Sequence, residues 1–490
     1  MNAPITGTSP AGSESYLPLT AFESLMWQDQ RASWPMTFSV QADFSGCVDR
    51  RALQIASNTA VSRHPLLHST VERRSRQWQW HLAAKKPPEI IWQDASGTVK
   101  TDAWSAIDLR QECGIRLLVQ TDEERSRLFL VVHHATCDGI GALNFLGDLL
   151  ATYHGLVAGI DYDSPQFNWD VAGMAHRGDI AWGRRVRPPS ANSPPPTPIP
   201  RSAILSQALE FLTLSPLRLA PRSIARGTGG PSSTPEPPFV RALVPAPDVH
   251  RLREIAQSKG AQLNDLLLRE MVLTILAWQT EQTGAPPRRG AFRITMPVNL
   301  RSEGHRRIPA ANILSYGFVH SRRAEWTDPQ TLLESIAFQT RAIVDQGWAE
   351  IFLTGLTIAQ QVPGLLPIIL TLSRSFSTLV FSNVGEVVRR MRFRPPLRDG
   401  RLIAGGLILE QLTAVPPVRP GTRLAMAATI YNGMLGLSTL GCPQTVGRQG
   451  AEIFQELFVQ RLLKLAATTV QSTTVPSTTR AESPTVVNHE

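Results

Sequence analysis

An apolar run that ends in two consecutive histidines constrains this 490-residue chain more than any other stretch. The run from Leu128 to Val132 predicts a buried strand, with His133 and His134 at its end. An Asp-Gly pair then opens an amphipathic helix predicted over residues 140–153. A helix N-terminus offers unpaired N–H groups and a partial positive charge. This junction therefore suits acid–base chemistry and the stabilisation of an oxyanion.

The two histidines are expected to have different surroundings. Consecutive residues of a strand point to opposite faces, so one of His133 and His134 should face a cavity while the other packs inward. Shared coordination of one metal ion is therefore not predicted. A pair of hydrogen-bonded histidines without a catalytic role is the alternative interpretation. Cys137 follows closely and could be proposed as a nucleophile, but a cysteine in a turn is more often a packing residue.

The motif His133-His134-x-x-x-Asp138-Gly139 resembles the active-site motif of the condensation-domain and CoA-dependent acyltransferase superfamily. The resemblance implies an α/β fold of two chloramphenicol acetyltransferase-like lobes with a channel between them. It also implies that His134 is the general base and that Asp138 is structural. Backbone N–H groups around Gly139 are the expected oxyanion donors. Standalone wax-ester-synthase-like and polyketide-associated acyltransferases look the most similar.

Short motifs in the second half of the chain resemble segments that line the channel in this superfamily. There, an arginine at a strand end pairs with the motif aspartate, which implies that Arg301 braces Asp138, with Asn299 in support. A solvated strand-end arginine is the alternative. The further candidates for lining the channel are Asn312, Ser382, Asn383 and Asn432.

Several of these polar residues also have plainer interpretations. Asn432 precedes a glycine and forms an ordinary turn pair. Ser382 and Asn383 end a predicted strand and could serve only backbone hydrogen bonds. Asn264 and Asp265 open a predicted helix, where a capping role is favoured over a catalytic one.

A basic cluster follows the predicted strand that contains Ser382. Its candidate phosphate-binding members are Arg389, Arg390, Arg392 and Arg394. Such a patch could bind the phosphates of CoA or an acidic carrier protein. A solvated hairpin is the alternative interpretation.

Composition predicts two globular lobes joined by a proline-rich crossover. Residues 1–15 are expected to form a disordered leader and residues 16–187 the N-terminal lobe with the histidine motif. The span 188–238 contains 13 of the 38 prolines and predicts a linker. Residues 239–467 are expected to form the C-terminal lobe, and 468–490 a disordered tail.

The composition also narrows the expected partners and compartment. The formal net charge is +9, but no zinc-finger or RNA-binding motif accompanies it, so nucleic acid is not predicted as a partner. Four widely spaced cysteines, the lack of a secretory signal pattern and the lack of a long apolar run predict a cytoplasmic protein without a transmembrane helix. The apolar stretch 351–372 is broken by proline and glycine, which leaves peripheral membrane contact open.

These expectations together predict an acyltransferase without a bound cofactor. The acyl group would move from a CoA thioester, or from a phosphopantetheinyl carrier protein, to a hydroxyl or amine acceptor. The sequence contains neither a carrier-type Gly-Gly-x-Ser segment nor an Asp-Phe-Gly-type motif, which favours a standalone enzyme over assembly-line peptide synthesis. A catalytically silent module that binds an acyl ligand or carrier, and a hydrolase of acyl thioesters, are the alternatives.

Overall fold

The computed structural model describes residues 15–75, 77–94, 104–160, 168–183, 215–222, 237–372 and 375–467. The predicted leader, apart from Ser15, the predicted tail and most of the predicted linker lie outside the described residues.

The described residues contain the following helices and strands. The helices are α1 Ala21–Gln28, α2 Arg50–Arg63, α3 Gly139–Ala158, α4 Ala246–Ser258, α5 Leu263–Thr283, α6 Pro329–Asp345, α7 Trp348–Gln361, α8 Leu365–Leu372, α9 Val387–Arg390 and α10 Gly447–Ala467. The strands are β1 Tyr16–Pro18, β2 Thr37–Ser45, β3 Thr70–Arg74, β4 Gln77–His81, β5 Ile91–Asp94, β6 Ile115–Thr121, β7 Arg125–His133, β8 Val240–Val244, β9 Ala291–Asn299, β10 Leu314–Arg322, β11 Leu379–Glu386, β12 Leu397–Arg398, β13 Arg401–Ala404, β14 Leu407–Val415, β15 Leu424–Tyr431 and β16 Met434–Gly441.

The first lobe is a seven-stranded sheet in the order β12-β13-β14-β2-β7-β6-β5, packed against α2 and α3. The alternating apolar residues of β2, from Phe38 to Phe44, are buried in its core. A separate three-stranded sheet has the order β1-β4-β3. The predicted strand before the histidines is β7, which pairs antiparallel with β2 and β6.

The second lobe is a six-stranded mixed sheet in the order β10-β9-β11-β15-β16-β8. Its core includes apolar residues from α4, α5, α6 and α10. A further apolar cluster joins the halves of the chain, since it contains Phe22 and Met36 from the first half and Ile313 and Leu356 from the second. The α/β architecture of two lobes is therefore as predicted.

The division of the chain into lobes differs from the expected one in one segment. Strands β12 to β14, within the span 239–467 assigned to the C-terminal lobe, join the sheet of the first lobe, where β14 pairs with β2 along its length. Pairing with a strand from the other half covers the backbone groups that β2 would otherwise expose at an edge. The expected division by chain position therefore assigns residues 397–415 to the wrong lobe. They belong to the first lobe, because a strand can pair with another that is distant in sequence.

Two helical features bear on the functional site. Helix α3 begins one residue before the predicted start and continues to Ala158, where Gly159 adopts a left-handed conformation (φ 67°) and ends it. The apolar stretch 351–372 is broken, as predicted, into α7 and α8. Among the residues that the structure describes, no single helix has the length and apolar composition needed to cross a membrane, and α7 and α8 meet that test only as a pair bent by 118°.

Candidate active site

His133 is a fully buried residue at the end of β7. Its Nδ1 accepts a hydrogen bond from the backbone N–H of Ala135 at 3.0 Å. Burial lowers the pKa of His133 to about 3, and the neighbouring His134 contributes in the same direction. His133 is therefore neutral at pH 7 and shapes the turn after the strand.

His134 is partly exposed, so the two histidines differ as the strand alternation predicts. Its backbone N–H donates to the carbonyl of Met36 at 2.7 Å, and its ring packs at an inclined angle against Phe38, with 5.0 Å between ring centroids. Burial of the imidazole lowers its pKa, while the charge of Asp138 opposes that shift. The imidazole is accordingly neutral at neutral pH, which is the state that a base requires.

Asp138 is almost completely buried and receives hydrogen bonds from two other segments. Its Oδ1 caps α3 by accepting from the backbone N–H of Gly141 at 2.8 Å. Its Oδ2 accepts from the backbone N–H of Ile313 at 3.0 Å. Arg301 donates through Nη1 to Oδ2 at 2.8 Å and through Nη2 to Oδ1 at 2.9 Å. The predicted Arg301–Asp138 pairing is confirmed, and the carboxylate fixes the start of the helix to the second half of the chain.

Asn299 and Asn312 support this arrangement in different ways. Asn299 Oδ1 accepts from the backbone N–H of Arg301 at 3.3 Å and from its Nη1 at 3.2 Å, in line with the expected supporting role. Asn312 is buried, and its Nδ2 donates to the carbonyls of both His134 and Ala135 at 2.8 Å. Asn312 was predicted to line the channel. It instead holds the backbone of residues 133–138, which we call the histidine loop.

A cavity of about 440 Å³ lies between the N-terminus of α3 and the second lobe, and we call it the interlobe cavity. Asp138, Gly139 and Ile140 line one side, and β9, β11, α5 and α6 supply the others. His134 is not part of this lining. Phe38, which packs against the His134 ring, lines a further cavity of about 190 Å³ together with Val131. The loop therefore contributes Asp138 to the interlobe cavity, and its His134 contacts a residue that lines the second cavity.

Ser382 and Asn383 line the interlobe cavity, as predicted, and Asn264 joins them. Asn383 Nδ2 donates to Asn264 Oδ1 at 3.0 Å, and its own Oδ1 accepts from the backbone N–H of Gly385 at 3.0 Å. Gln262 is the residue that caps α5, and Asp265 completes that cap by accepting from its backbone N–H at 2.8 Å. The expected capping role is thus confirmed for Asp265 and wrong for Asn264.

Asn432 lies outside this site. It is exposed in the turn between β15 and β16, where it and Gly433 both have positive φ, 48° and 77°. That conformation is typical of a two-residue hairpin turn and favours Asn-Gly. Its predicted place in the channel lining is wrong, and the plainer turn interpretation is correct.

The four arginines of the basic cluster are exposed, and one of them, Arg390, lines the interlobe cavity. Burial, together with the charges of Arg307 and Arg306, lowers the pKa of Arg392. Arg394 donates to the carbonyl of Val388 at 3.1 Å. Arg341 of α6, which sequence reasoning missed, also lines the cavity. A single arginine on a helix carries no local signal for such a role.

Two glycines at the start of α3 have distinct functions. A Cβ at Gly139 would meet no atom within 4 Å, so the space beside it belongs to the interlobe cavity. A Cβ at Gly141 would lie 2.9 Å from Cys137 Cβ and 3.1 Å from the backbone N and O of Ala311. Gly141, which the sequence did not single out, therefore permits the close contact between α3 and the second half.

Cys137 is fully buried beside this contact. Burial raises the pKa of its thiol far above the usual range, and the charge of Asp138 acts in the same direction. A protonated thiol is a poor nucleophile, so the packing role expected for Cys137 is the one that its surroundings favour.

Solved structures of condensation domains share this architecture. The first condensation domain of the CDA synthetase is 16% identical with a TM-score of 0.63, and the match covers 93% of this chain and 97% of that one. The chain has the condensation-domain fold. A starter condensation domain of rhizomide synthetase in complex with C8-CoA matches with a TM-score of 0.61 at 14% identity, over 92% of this chain and 95% of that one.

Two further comparisons are with mycobacterial proteins. Polyketide synthase associated protein 5 from Mycobacterium tuberculosis is 18% identical with a TM-score of 0.57, over 94% of this chain and 99% of that one. An uncharacterized protein of M. tuberculosis, found in strains CDC 1551 and H37Rv, is 26% identical over 394 residues, which cover 76% of this chain and 83% of that protein. No protein-family model matches the sequence.

Proposed function

We propose that this chain is an acyltransferase that moves an acyl group from a thioester to a hydroxyl or amine, with His134 as the general base. The observation that carries the proposal is the histidine loop. It holds a neutral, partly exposed imidazole four residues before Asp138, which lines the interlobe cavity, and Asn312 and the Arg301–Asp138 pair hold the loop in place. The condensation-domain fold of solved neighbours supports acyl transfer as the general class of reaction.

The neutral imidazole of His134 accepts the proton of the acceptor hydroxyl or amine as that group attacks the thioester carbonyl. The carbon–sulfur bond then breaks, and the departing thiolate takes up the proton from the imidazolium. Thiol and acyl product are released, and the base returns to its neutral state. This sequence needs neither a metal ion nor a covalent enzyme intermediate.

The tetrahedral oxyanion is stabilised at the start of α3. The N–H groups of Gly139 and Ile140 belong to the first turn, where a helix has no intrahelical acceptor for them, and both residues line the interlobe cavity. The N–H of Gly141 is already bonded to Asp138, which leaves the first two positions for substrate. The absence of a side chain at Gly139 lets the thioester carbonyl approach them.

The thioester donor is either an acyl-CoA or an acyl group on a phosphopantetheinyl carrier. Arg390 and Arg341 line the interlobe cavity, alongside the exposed Asp345, and these two guanidinium groups suit either the phosphates of CoA or an acidic carrier. The exposed Arg389, Arg392 and Arg394 extend the same basic surface beyond the cavity.

Thiol release from a panel of acyl-CoAs and acyl carriers, with and without alcohols and amines, tests the proposal. Release that depends on an acceptor, and that His134→Ala abolishes, is the expected result. His250→Ala, which removes an exposed histidine on α4, is the matched control and should behave as the wild type. Release that ignores acceptors would indicate a hydrolase, and no release from any donor would indicate a binding module; either result contradicts the proposal.

A further inference from the structure

A second apolar space lies outside the interlobe cavity, and we call it the apolar cavity. It has a volume of about 340 Å³ and lies between β10 and the bent pair α7–α8. None of its fifteen lining residues is Asp, Glu, Lys or Arg. Its walls include the aromatic residues Tyr316, Phe318, Trp348 and Phe352. Its composition therefore matches a hydrocarbon rather than a charged ligand.

Both the size and the walls of the apolar cavity suit a ligand. Its volume is more than twice the roughly 150 Å³ of an apolar cavity that is large enough to bind benzene. The ring of Phe352 packs against those of Tyr316 and Phe318, with centroid distances of 5.6 Å and 5.4 Å. These contacts hold the aromatic wall in place without filling the space.

The apolar cavity adjoins the interlobe cavity along two elements. On β10, Leu314 lines the interlobe cavity, whereas Tyr316, about 7 Å further along the strand, lines the apolar cavity. On α6, Val344 lines the former and Ile343 the latter. In addition, Tyr316 belongs to the same buried apolar cluster as Ala135, the residue after His134. Apolar packing therefore continues from the histidine loop to the apolar cavity.

Exposed apolar side chains are concentrated in the part of the chain that contains α6, α7 and α8. The described residues include fifteen large apolar side chains that are more than a third exposed, and six of them lie between residues 338 and 369. They are Phe338, Val344, Ile358, Val362, Ile368 and Ile369. Of these six, Ile369 lines the apolar cavity and Val344 lines the interlobe cavity, so the lining of each cavity includes an exposed apolar side chain.

We propose that the apolar cavity binds the alkyl chain of a fatty acyl substrate, so that the transferred group is a medium- or long-chain acyl group. This inference rests on the proposed function for the role of the chain in the reaction. Binding of the chain itself does not depend on catalysis. The two can therefore be tested separately.

Tryptophan fluorescence tests the binding step, because Trp348 lines the cavity. A brominated C18 fatty acid quenches a tryptophan that it contacts, and the unbrominated fatty acid is the reference probe. We expect saturable quenching in the wild type at one equivalent of probe. Trp348→Phe should lose that component and leave the other ten of the 11 tryptophans unaffected. Quenching that is absent, or that is unchanged in Trp348→Phe, would overturn the proposal.

Two substitutions that fill the cavity sharpen the test. Ala359 is buried in the lining, so Ala359→Leu adds bulk inside the cavity. Gly355 also lines it, and a Cβ there would meet no atom within 4 Å, so the backbone at this position has room for the added side chain of Gly355→Leu. Each should weaken probe binding at least tenfold. Thr357→Leu, on the exposed side of the same helix, is the matched control and should leave binding unchanged. Unchanged binding in both filling variants would contradict the proposal.

Kinetics with acyl-CoAs whose acyl chains have two to sixteen carbons then test whether the apolar cavity contributes to catalysis. The Ala359→Leu and Gly355→Leu variants should keep the wild-type kcat/KM for the shortest donors and lose at least tenfold for the longest. Equal losses at every length would argue against chain recognition by this cavity. If no donor releases thiol while the probe still binds at Trp348, the proposed function fails and the assignment of the apolar cavity stands.

Discussion

Arg301 and Asp138 are separated by 163 residues in the chain and form a two-pronged ion pair, with Nη1–Oδ2 at 2.8 Å and Nη2–Oδ1 at 2.9 Å. The aspartate also caps α3, so one carboxylate connects the histidine loop, helix α3 and the second half of the chain. The side chain of Asp138 is 2% exposed and that of Arg301 is 12% exposed. Removal of either partner therefore leaves a charge in surroundings that solvate it poorly.

We expect Arg301→Ala to lower the free energy of unfolding by about 3 kcal/mol, because a buried carboxylate loses its counter-charge. Activity should fall as well, since the histidine loop loses its brace. Urea denaturation and kcat/KM measure the two effects. Arg110→Ala removes an arginine from an exposed pair with Asp108 and should change neither. Equal behaviour of the two variants would contradict the bracing role of Arg301.

The pH dependence of catalysis should follow from the lowered pKa of His134. Burial disfavours the imidazolium, so the base stays neutral to a lower pH than an ordinary histidine of pKa 6.5. The acid limb of the kcat/KM profile should therefore have its midpoint below pH 6.5. At higher pH the profile should reach a plateau that extends to neutral pH. A pH profile with a substrate that does not titrate in this range measures it. A midpoint above pH 6.5 would contradict a lowered pKa of His134 as the catalytic base.

His133 should make the fold sensitive to acid. Its folded pKa of about 3 lies below the ordinary value of 6.5, so between these values the unfolded chain binds more protons than the folded one. Stability is therefore complete above pH 6.5 and falls as pH drops towards 3, by an upper bound of roughly 5 kcal/mol from this residue. His133→Asn, which keeps an acceptor for the Ala135 N–H, should flatten the dependence of unfolding free energy between pH 7 and 4.5. His250→Asn, on an exposed face, should leave that dependence unchanged.

Gly139 and Gly141 offer a matched pair of substitutions two residues apart. Gly139→Ala introduces a methyl group into open space beside the N–H groups that we propose as oxyanion donors, so it should lower kcat/KM and leave the melting temperature unchanged. Gly141→Ala places a methyl group against Cys137 and the Ala311 backbone, so it should lower the melting temperature by separating α3 from the second half. The melting temperature and kcat/KM of both variants test these two expectations. A stability loss in Gly139→Ala alone would contradict the assigned roles.

Sequence periodicity was most informative where interactions are local. The apolar run of β7, the Asp138 cap and the amphipathic pattern of α3 all follow from neighbours within a few residues, and the structure contains each of them. The pairing of Arg301 with Asp138 was predicted from a resemblance rather than from local pattern. No periodicity in the chain connects residues so far apart.

Polar residues in short motifs were the least predictable part of the site. Asn432 and Asn383 were both expected near strand ends, yet Asn432 lies in an exposed turn after β15, whereas Asn383 lies within β11 and lines the interlobe cavity. Asn264 and Asp265 both line that cavity, but only Asp265 also caps the helix. An asparagine side chain can serve any of these roles, so its place depends on which distant element lies opposite.

The sequence by itself determined the strand–histidine–helix unit, the different surroundings of its two histidines and the α/β class, because hydrophobic periodicity and capping act over one or two turns of chain. Only the tertiary structure decided that β14 joins the first sheet, that Asn312 clamps the histidine loop, and that the interlobe and apolar cavities adjoin. Each of these depends on contacts between segments far apart in sequence. Such contacts form when whole elements bury their apolar faces against one another, and no short stretch of chain encodes the partner that it will meet.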